Sequence, residues 1–326
     1  MKNIINRSRN AALICLAGAA GLLVYNVAGV AQTPKPKRIN RAIELLEQGQ
    51  PIYYTGSHSG TVGSFEQGKA DAQTWADYIS YDMEAAPYDV AGLAAYMQGL
   101  VAGGPTRTGH KTPAVIVNVA VRGTDEATVR ANSWMFEQVL ATGVHGILLC
   151  HATTAGAVRA FVEAVRYPNH EQGVGREGLQ EGRRGAHGAA TASKIWGVSN
   201  DEYVRLADVW PLNPNGEILL GVKIEDKYAY ANVNEIVKVP GIGFGEGGPG
   251  DMALSFGFKS GDPKAKEVQE KIFAAGKAQH LYWLGISDGP VSDASIEQAI
   301  KAGRMIGSGE KTAEVGRRIT KRPLPY

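Results

Sequence analysis

The apolar run Ala114–Val121 (AVIVNVAV) is followed, after Arg122-Gly-Thr-Asp125, by Ala127–Leu140, where apolar residues return at helical spacing. A run with so little polar alternation belongs to a strand buried on both faces, the situation of a parallel strand flanked by helices. Thr124 or Asp125 is a suitable helix N-cap. The next run repeats the order: Gly146–Cys150 (GILLC) precedes the helical pattern Thr154–Val165. Working outward, Pro51–Thr55, Tyr78–Met83 (YISYDM), Leu219–Ile224 (LLGVKI), Gly241–Phe244 (GIGF), His280–Ile286 (HLYWLGI) and Arg304–Ile306 (RMI) bring the strands to about eight. Helical patterns at Arg41–Gln48, Ala91–Gly99, Pro263–Ala275 and Ser292–Lys301 fall around and between them. Strand–helix alternation repeated this often predicts an α/β fold, a single-domain (β/α)8 TIM barrel over residues 41–326. A doubly wound open sheet is the alternative; strand number and the clustering of polar residues at strand ends favour the barrel.

Composition agrees. The 326 residues are 44% hydrophobic and 20% charged, enough to bury a full core, so a disordered chain is excluded. Thirty-four Lys and Arg against 32 Asp and Glu leave no footprint for nucleic acid. Residues 1–31 read as a cleavable signal peptide: Lys2, Arg7 and Arg9, an apolar run from Ala11 to about Tyr25, then small residues ending at Ala31. An uncleaved membrane anchor is the alternative. A periplasmic or secreted location follows from the signal peptide, with residues 32–40 as a linker (QTPKPK at its start). Without residues 1–31, which hold three bases and no acid, 31 basic and 32 acidic residues remain. Cys150 is then the single cysteine, in an apolar setting that suggests an inert thiol.

In a barrel of this type chemistry collects at the C-terminal ends of the strands. There the second run ends in Asp82-Met83-Glu84, the third in Arg122, the fourth in His151, the fifth in Lys223-Ile-Glu225-Asp226, and the sixth leads into Glu246-Gly-Gly-Pro-Gly-Asp251. Lys223 and Glu225, two apart on a strand, share a face. Glu225 and Asp251, from neighbouring strands, could hold a divalent cation; oxygen-only ligation favours Mg2+ or Mn2+, with Co2+ and Zn2+ also compatible. Gly243-Phe-Gly-Glu-Gly-Gly248 matches a dinucleotide-binding pattern, but Pro249, Gly250 and Asp251 are expected to interrupt the helix that pattern needs, so a nucleotide site is rejected. The segment 166–197, rich in glycine and containing Arg176, Arg183, Arg184 and His187, reads as a long loop: a lid, an interface element, a solvated loop, or a recogniser of an anionic substrate.

Asp82-Met-Glu84-Ala-Ala-Pro87, Val121-Arg122, Val222-Lys-Ile-Glu225 and Gly247-Gly-Pro249-Gly-Asp251-Met-Ala-Leu-Ser255-Phe-Gly257 stand in the order of the HpcH/HpaI aldolase family, which this chain resembles over roughly 42–309. The segment beginning Arg166-Tyr-Pro168 is similar as well. The resemblance implies a metal-dependent carbon–carbon lyase of the class II aldolase type. It would cleave or form a bond next to a 2-oxo acid, releasing pyruvate and an aldehyde, in a homo-oligomer. It implies Glu225 and Asp251 as metal ligands, Arg122 beside the keto oxygen, Glu84 near the metal-bound water, and the Gly250–Asp251 amides at the substrate carboxylate. Two positions depart from the family pattern. The histidine that pairs with the Asp82 position is Ala85, and a glutamine two before the metal glutamate is Lys223. Lys223 would have a depressed pKa or pair with Asp82 or Glu84, as a proton carrier or as a structural ion pair. His58 and His151 are the candidates to replace the missing imidazole. A non-catalytic oxo-acid-binding barrel and an acyl-CoA lyase relative are the alternative functions.

Overall fold

The computed structural model describes residues 38–56, 63–259, 261–286 and 292–323. The expected signal peptide, most of the linker and His58 lie outside the described residues. The sheet contains β1 (Ile52–Thr55), β2 (Tyr78–Met83), β3 (Ala114–Val119), β4 (Gly146–Leu149), β5 (Val209–Trp210), β6 (Ile218–Lys223), β7 (Phe244–Glu246), β8 (Tyr282–Leu284) and β9 (Arg304–Ser308). Every pairing is parallel, and the order β4-β3-β2-β1-β9-β8-β7-β6 closes through β4–β6, with β5 a two-residue spur on the start of β6. This is the expected closed eight-stranded barrel.

Its interior follows from the two-residue period of the strands. Ile52, Tyr78, Ile116, Leu148, Leu219, Phe244 and Ile306 form one buried inner cluster. A larger cluster, including Ile79, Val115, Val117, Ile147 and Leu220, joins the outer strand faces to the helices. The helix Arg41–Glu47 closes the floor and puts Ala42, Ile43, Leu45 and Leu46 into the inner cluster. Its cap, Asn40, accepts from the Ala42 N–H at 3.0 Å and donates to the carbonyls of His145 and Glu217, just ahead of β4 and β6.

Helix boundaries were largely legible. Thr154 caps Ala155–Val165, and Asp125, rather than Thr124, caps Glu126–Ala131. The predicted Ala127–Leu140 helix is broken at Asn132 into two pieces. The strand expected at 241–244 begins only at Phe244, and the one expected at 280–286 shortens to three residues because His280 turns with φ 62°. A helix does start at Pro249, with proline at its first position, where the missing N–H costs nothing; the expected interruption is therefore corrected.

The segment 166–197 is corrected more deeply. It holds a helix, Ala189–Trp196, and packs at the N-terminal ends of the strands, opposite the chemistry. The Trp196 indole donates to the Gly143 carbonyl at 2.9 Å and stacks on His145, just before β4. Arg166 is fully buried and bonded to Asp208, just before β5. Arg184 is buried between the Tyr167 and Tyr203 rings. These arginines hold the floor of the barrel together and are remote from any substrate at its mouth.

Candidate metal and catalytic centre

β6 carries Lys223 at its last position, and Glu225 follows on the same side of the chain; both are buried. The Gly248 backbone N–H donates to Glu225 Oε1 at 2.5 Å. A Cβ at position 248 would stand 2.8 Å from that oxygen, so a larger residue there would push the Glu225 carboxylate aside. With Oε1 anchored, Oε2 lies 3.5 Å from His151 Nε2. His151 arrives from β4, the direct partner of β6, and the next residue, Ala152, donates its N–H to the Lys223 carbonyl at 2.8 Å. Asp251 sits in the first turn of the Pro249–Phe256 helix, half exposed, its Oδ2 3.7 Å from the same imidazole nitrogen. His151, Glu225 and Asp251 thus offer three donor atoms within 4.8 Å of one another.

Glu84 completes the cluster from β2. Asp82 Oδ1 accepts from the backbone N–H groups of Glu84 (2.8 Å) and Ala85 (3.3 Å), fixing the turn that aims Glu84 inward. Glu84 Oε1 lies 3.2 Å from His151 Nε2, and its Oε2 accepts from the Lys223 ammonium. Lys223 also faces Glu246 Oε1 at 3.4 Å. Lys223 therefore pairs with Glu84 rather than Asp82, and with a second acid, Glu246, that the sequence reading did not choose. Glu246 stands two residues after the inward-facing Phe244 and opposite Lys223 in register, a signal hidden while the strand was placed three residues too early.

Four carboxylates face one ammonium and one imidazole, an excess of negative charge that suits a dication. The charges shift accordingly. Burial works against ionised Glu84, but hydrogen bonds from His151 and Lys223 outweigh it and hold its pKa to about 2. Burial, then the charge of Glu225, pushes Glu246 up to about 7. Burial also raises Glu225. The hydrogen bond to Glu84 raises His151. Burial opposes the Lys223 ammonium, yet the acids around it carry its pKa upward, so the expected depression is corrected. Arg122 stands exposed on the rim after β3, with no hydrogen bond or ion pair to the cluster among the described residues. Gly250 is exposed in the first turn of the helix that carries Asp251.

Lys223→Met is expected to cost about 3–5 kcal/mol of stability at neutral pH, because Glu84 and Glu246 lose their shared cation. In the parent protein Glu84 stabilises the fold above its ordinary pKa, and that stability is lost as pH falls toward about 2. In the variant Glu246 loses the ammonium that opposes the effect of burial and favours protonation, so stability is lost as pH rises, while Glu84 keeps its hydrogen bond from His151. Thermal melts should show the gap between the two proteins narrowing from pH 7 to pH 4; a constant gap would refute the pairing.

Comparison with known proteins bears on the family and the fold. The profile of the HpcH/HpaI aldolase/citrate lyase family matches residues 104–306, more than half of the chain. The chain belongs to that family. It is accordingly an enzyme of the lyase, aldolase type. A hydroxypyruvate/pyruvate aldolase of Sagittula stellata is 28% identical over 229 residues, covering 70% of this chain and 75% of that protein. A 2-keto-3-deoxy-L-rhamnonate aldolase of Escherichia coli is 29% identical over 156 residues, covering 46% of this chain and 51%, about half, of that relative. Among solved structures, a HpcH/HpaI aldolase/citrate lyase family protein from Burkholderia cenocepacia superposes with a TM-score of 0.62 at 21% identity, covering 87% of this chain and 97% of that one. At that identity the likeness speaks for the barrel alone.

Proposed function

We propose that the protein is a divalent-metal-dependent aldolase that breaks or forms the carbon–carbon bond beside a 2-oxo acid, with pyruvate and an aldehyde as the small-molecule pair. The observation that carries this reading is the meeting of Glu225 and Asp251 with an imidazole at the C-terminal mouth of the barrel. The donor set fits a divalent cation: two carboxylates, one anchored by a backbone amide and one half exposed, leave room for substrate. When bound, the cation supplies Lewis-acid polarisation of the keto oxygen.

The other residues serve the rest of the reaction. Glu84 Oε1, the oxygen not taken by Lys223, faces the cluster and takes or returns the proton of the hydroxyl on the bond being broken. Its low pKa keeps it ionised at rest, and it becomes a stronger proton acceptor once the His151 hydrogen bond that holds the pKa down is withdrawn. Lys223 bridges Glu84 to Glu246 and holds the Glu84 carboxylate in place. Asp82 is a positioning residue through the backbone of Glu84 and Ala85. Arg122, on the same rim, meets the negative charge that develops on the oxo acid, and the amides of the first turn holding Gly250 and Asp251 receive its carboxylate.

His151 brings an imidazole to Glu84 from β4 although the position after Glu84 is Ala85, which favours an enzyme over a purely binding barrel. Incubation of pyruvate with a panel of aldehydes should give new carbon–carbon bonds only with Mg2+, Mn2+ or a similar dication present. Metal-dependent oxo-acid binding without bond formation would sink the proposal. Arg122→Ala should lower kcat/KM by about 10²–10³ with thermal stability unchanged. Export belongs to the same proposal: N-terminal sequencing of the mature protein should begin at Gln32.

A further inference from the structure

Oxygen-only ligation is the simplest reading of a site built on Glu225 and Asp251, and it would favour Mg2+. The structure adds a nitrogen. His151 Nε2 lies 3.5 Å from Glu225 Oε2 and 3.7 Å from Asp251 Oδ2, and all three donors fall within 4.8 Å of one another. Ligands bound at about 2.0–2.2 Å around one ion stand about 3–3.5 Å apart, so the trio needs only a small contraction to grip a cation. Asp251, the outermost and most exposed of the three, is the one able to move. Glu225 is held from behind by the Gly248 amide, and the His151 backbone is fixed between Gly123 and Lys223: its carbonyl accepts from the Gly123 N–H at 2.7 Å, and the Ala152 N–H after it donates to Lys223.

We infer that His151 is the third protein ligand of the metal, and that it turns the site from a Mg2+ site into one selective for a borderline first-row dication of the Zn2+ or Co2+ kind. This inference rests on the proposed metal centre at Glu225 and Asp251 and assigns its cofactor. Imidazole suits Zn2+, Co2+ and Ni2+ and is a poor ligand for Mg2+, which keeps oxygen donors and its own water. A consequence follows inside the cluster. Nε2 has one lone pair, so it serves either the cation or a proton shared with Glu84. Cation binding therefore releases Glu84 Oε1 from its imidazole partner, while Lys223 keeps the other oxygen in place.

Any site of this size prefers Zn2+ to Mg2+ to some degree, so bare preference is not the test; the nitrogen and its removal are. Full-length protein loaded with Mn2+, which accepts both oxygen-only and imidazole sites, should show 14N modulation from one imidazole in pulsed EPR. The modulation should vanish in His151→Gln. In competitive dialysis that variant should lose at least about tenfold in Zn2+ affinity, while Mg2+ affinity stays within about twofold. Bound Mn2+ without 14N modulation in the wild-type protein would overturn the inference without recourse to any variant. Equal weakening of Zn2+ and Mg2+ in His151→Gln would do the same. A wild-type protein that binds none of these ions would remove the metal centre altogether. An imidazole signature without aldol chemistry would leave this assignment standing and sink the proposed activity.

Discussion

Glu225→Gln is expected to abolish divalent-cation binding and to lower kcat/KM for carbon–carbon bond formation by about three orders of magnitude, or roughly 4 kcal/mol. The substitution keeps the shape of the side chain and an oxygen to accept the Gly248 N–H, so the fold has no reason to suffer. What it removes is the only buried negative charge in the proposed metal-binding trio, since Asp251 is half exposed and His151 would carry none as a ligand. Thermal stability should hold or rise, because one of four crowded carboxylates is gone. Equilibrium dialysis beside steady-state kinetics checks both halves. Retained cation binding in Glu225→Gln would move the metal elsewhere and overturn the site.

An equally large effect on stability is expected at the other end of the barrel. Asp208→Ala should cost about 3–5 kcal/mol, read by urea unfolding. Asp208 is fully buried, and its carboxylate accepts from Arg166 Nε at 2.7 Å, Arg166 Nη2 at 3.2 Å and Asn213 Nδ2 at 3.0 Å. Removing it strands a guanidinium that has no exposed surface. His170 Nδ1, 3.4 Å from Asp208, loses the same partner. Since this pair lies at the N-terminal ends of the strands, kcat/KM of the folded variant should match the parent. A loss below about 1 kcal/mol would mean that water reaches Arg166 once the acid is gone.

What was legible in the sequence was what depends on local pattern. β2, β3 and β6 are long enough to show their burial, and the chain order of strands and helices already implied the barrel. Glu225, Asp251 and Glu84 were singled out by the motifs around them and Lys223 by its two-residue spacing from Glu225, and the structure brings all four to one mouth of the barrel. Illegible features are settled by contacts distant in sequence. β5, two residues long, is too short for any period to register. Segment 166–197 reads as a loop because its anchors, Gly143, His145 and Asp208, come from other parts of the chain. Glu246 was missed through a strand set three residues out of place. Which acid Lys223 would choose depended on where the turn built on Asp82 Oδ1 aims Glu84.

The crowding of acids at the mouth also dictates an order of events. A 2-oxo acid is itself an anion, and without a cation it approaches Glu84, Glu225, Glu246 and Asp251 against their field, with Lys223 already committed to two of them. Under the proposed function the metal loads before the oxo acid, and each raises the other's affinity by the same factor.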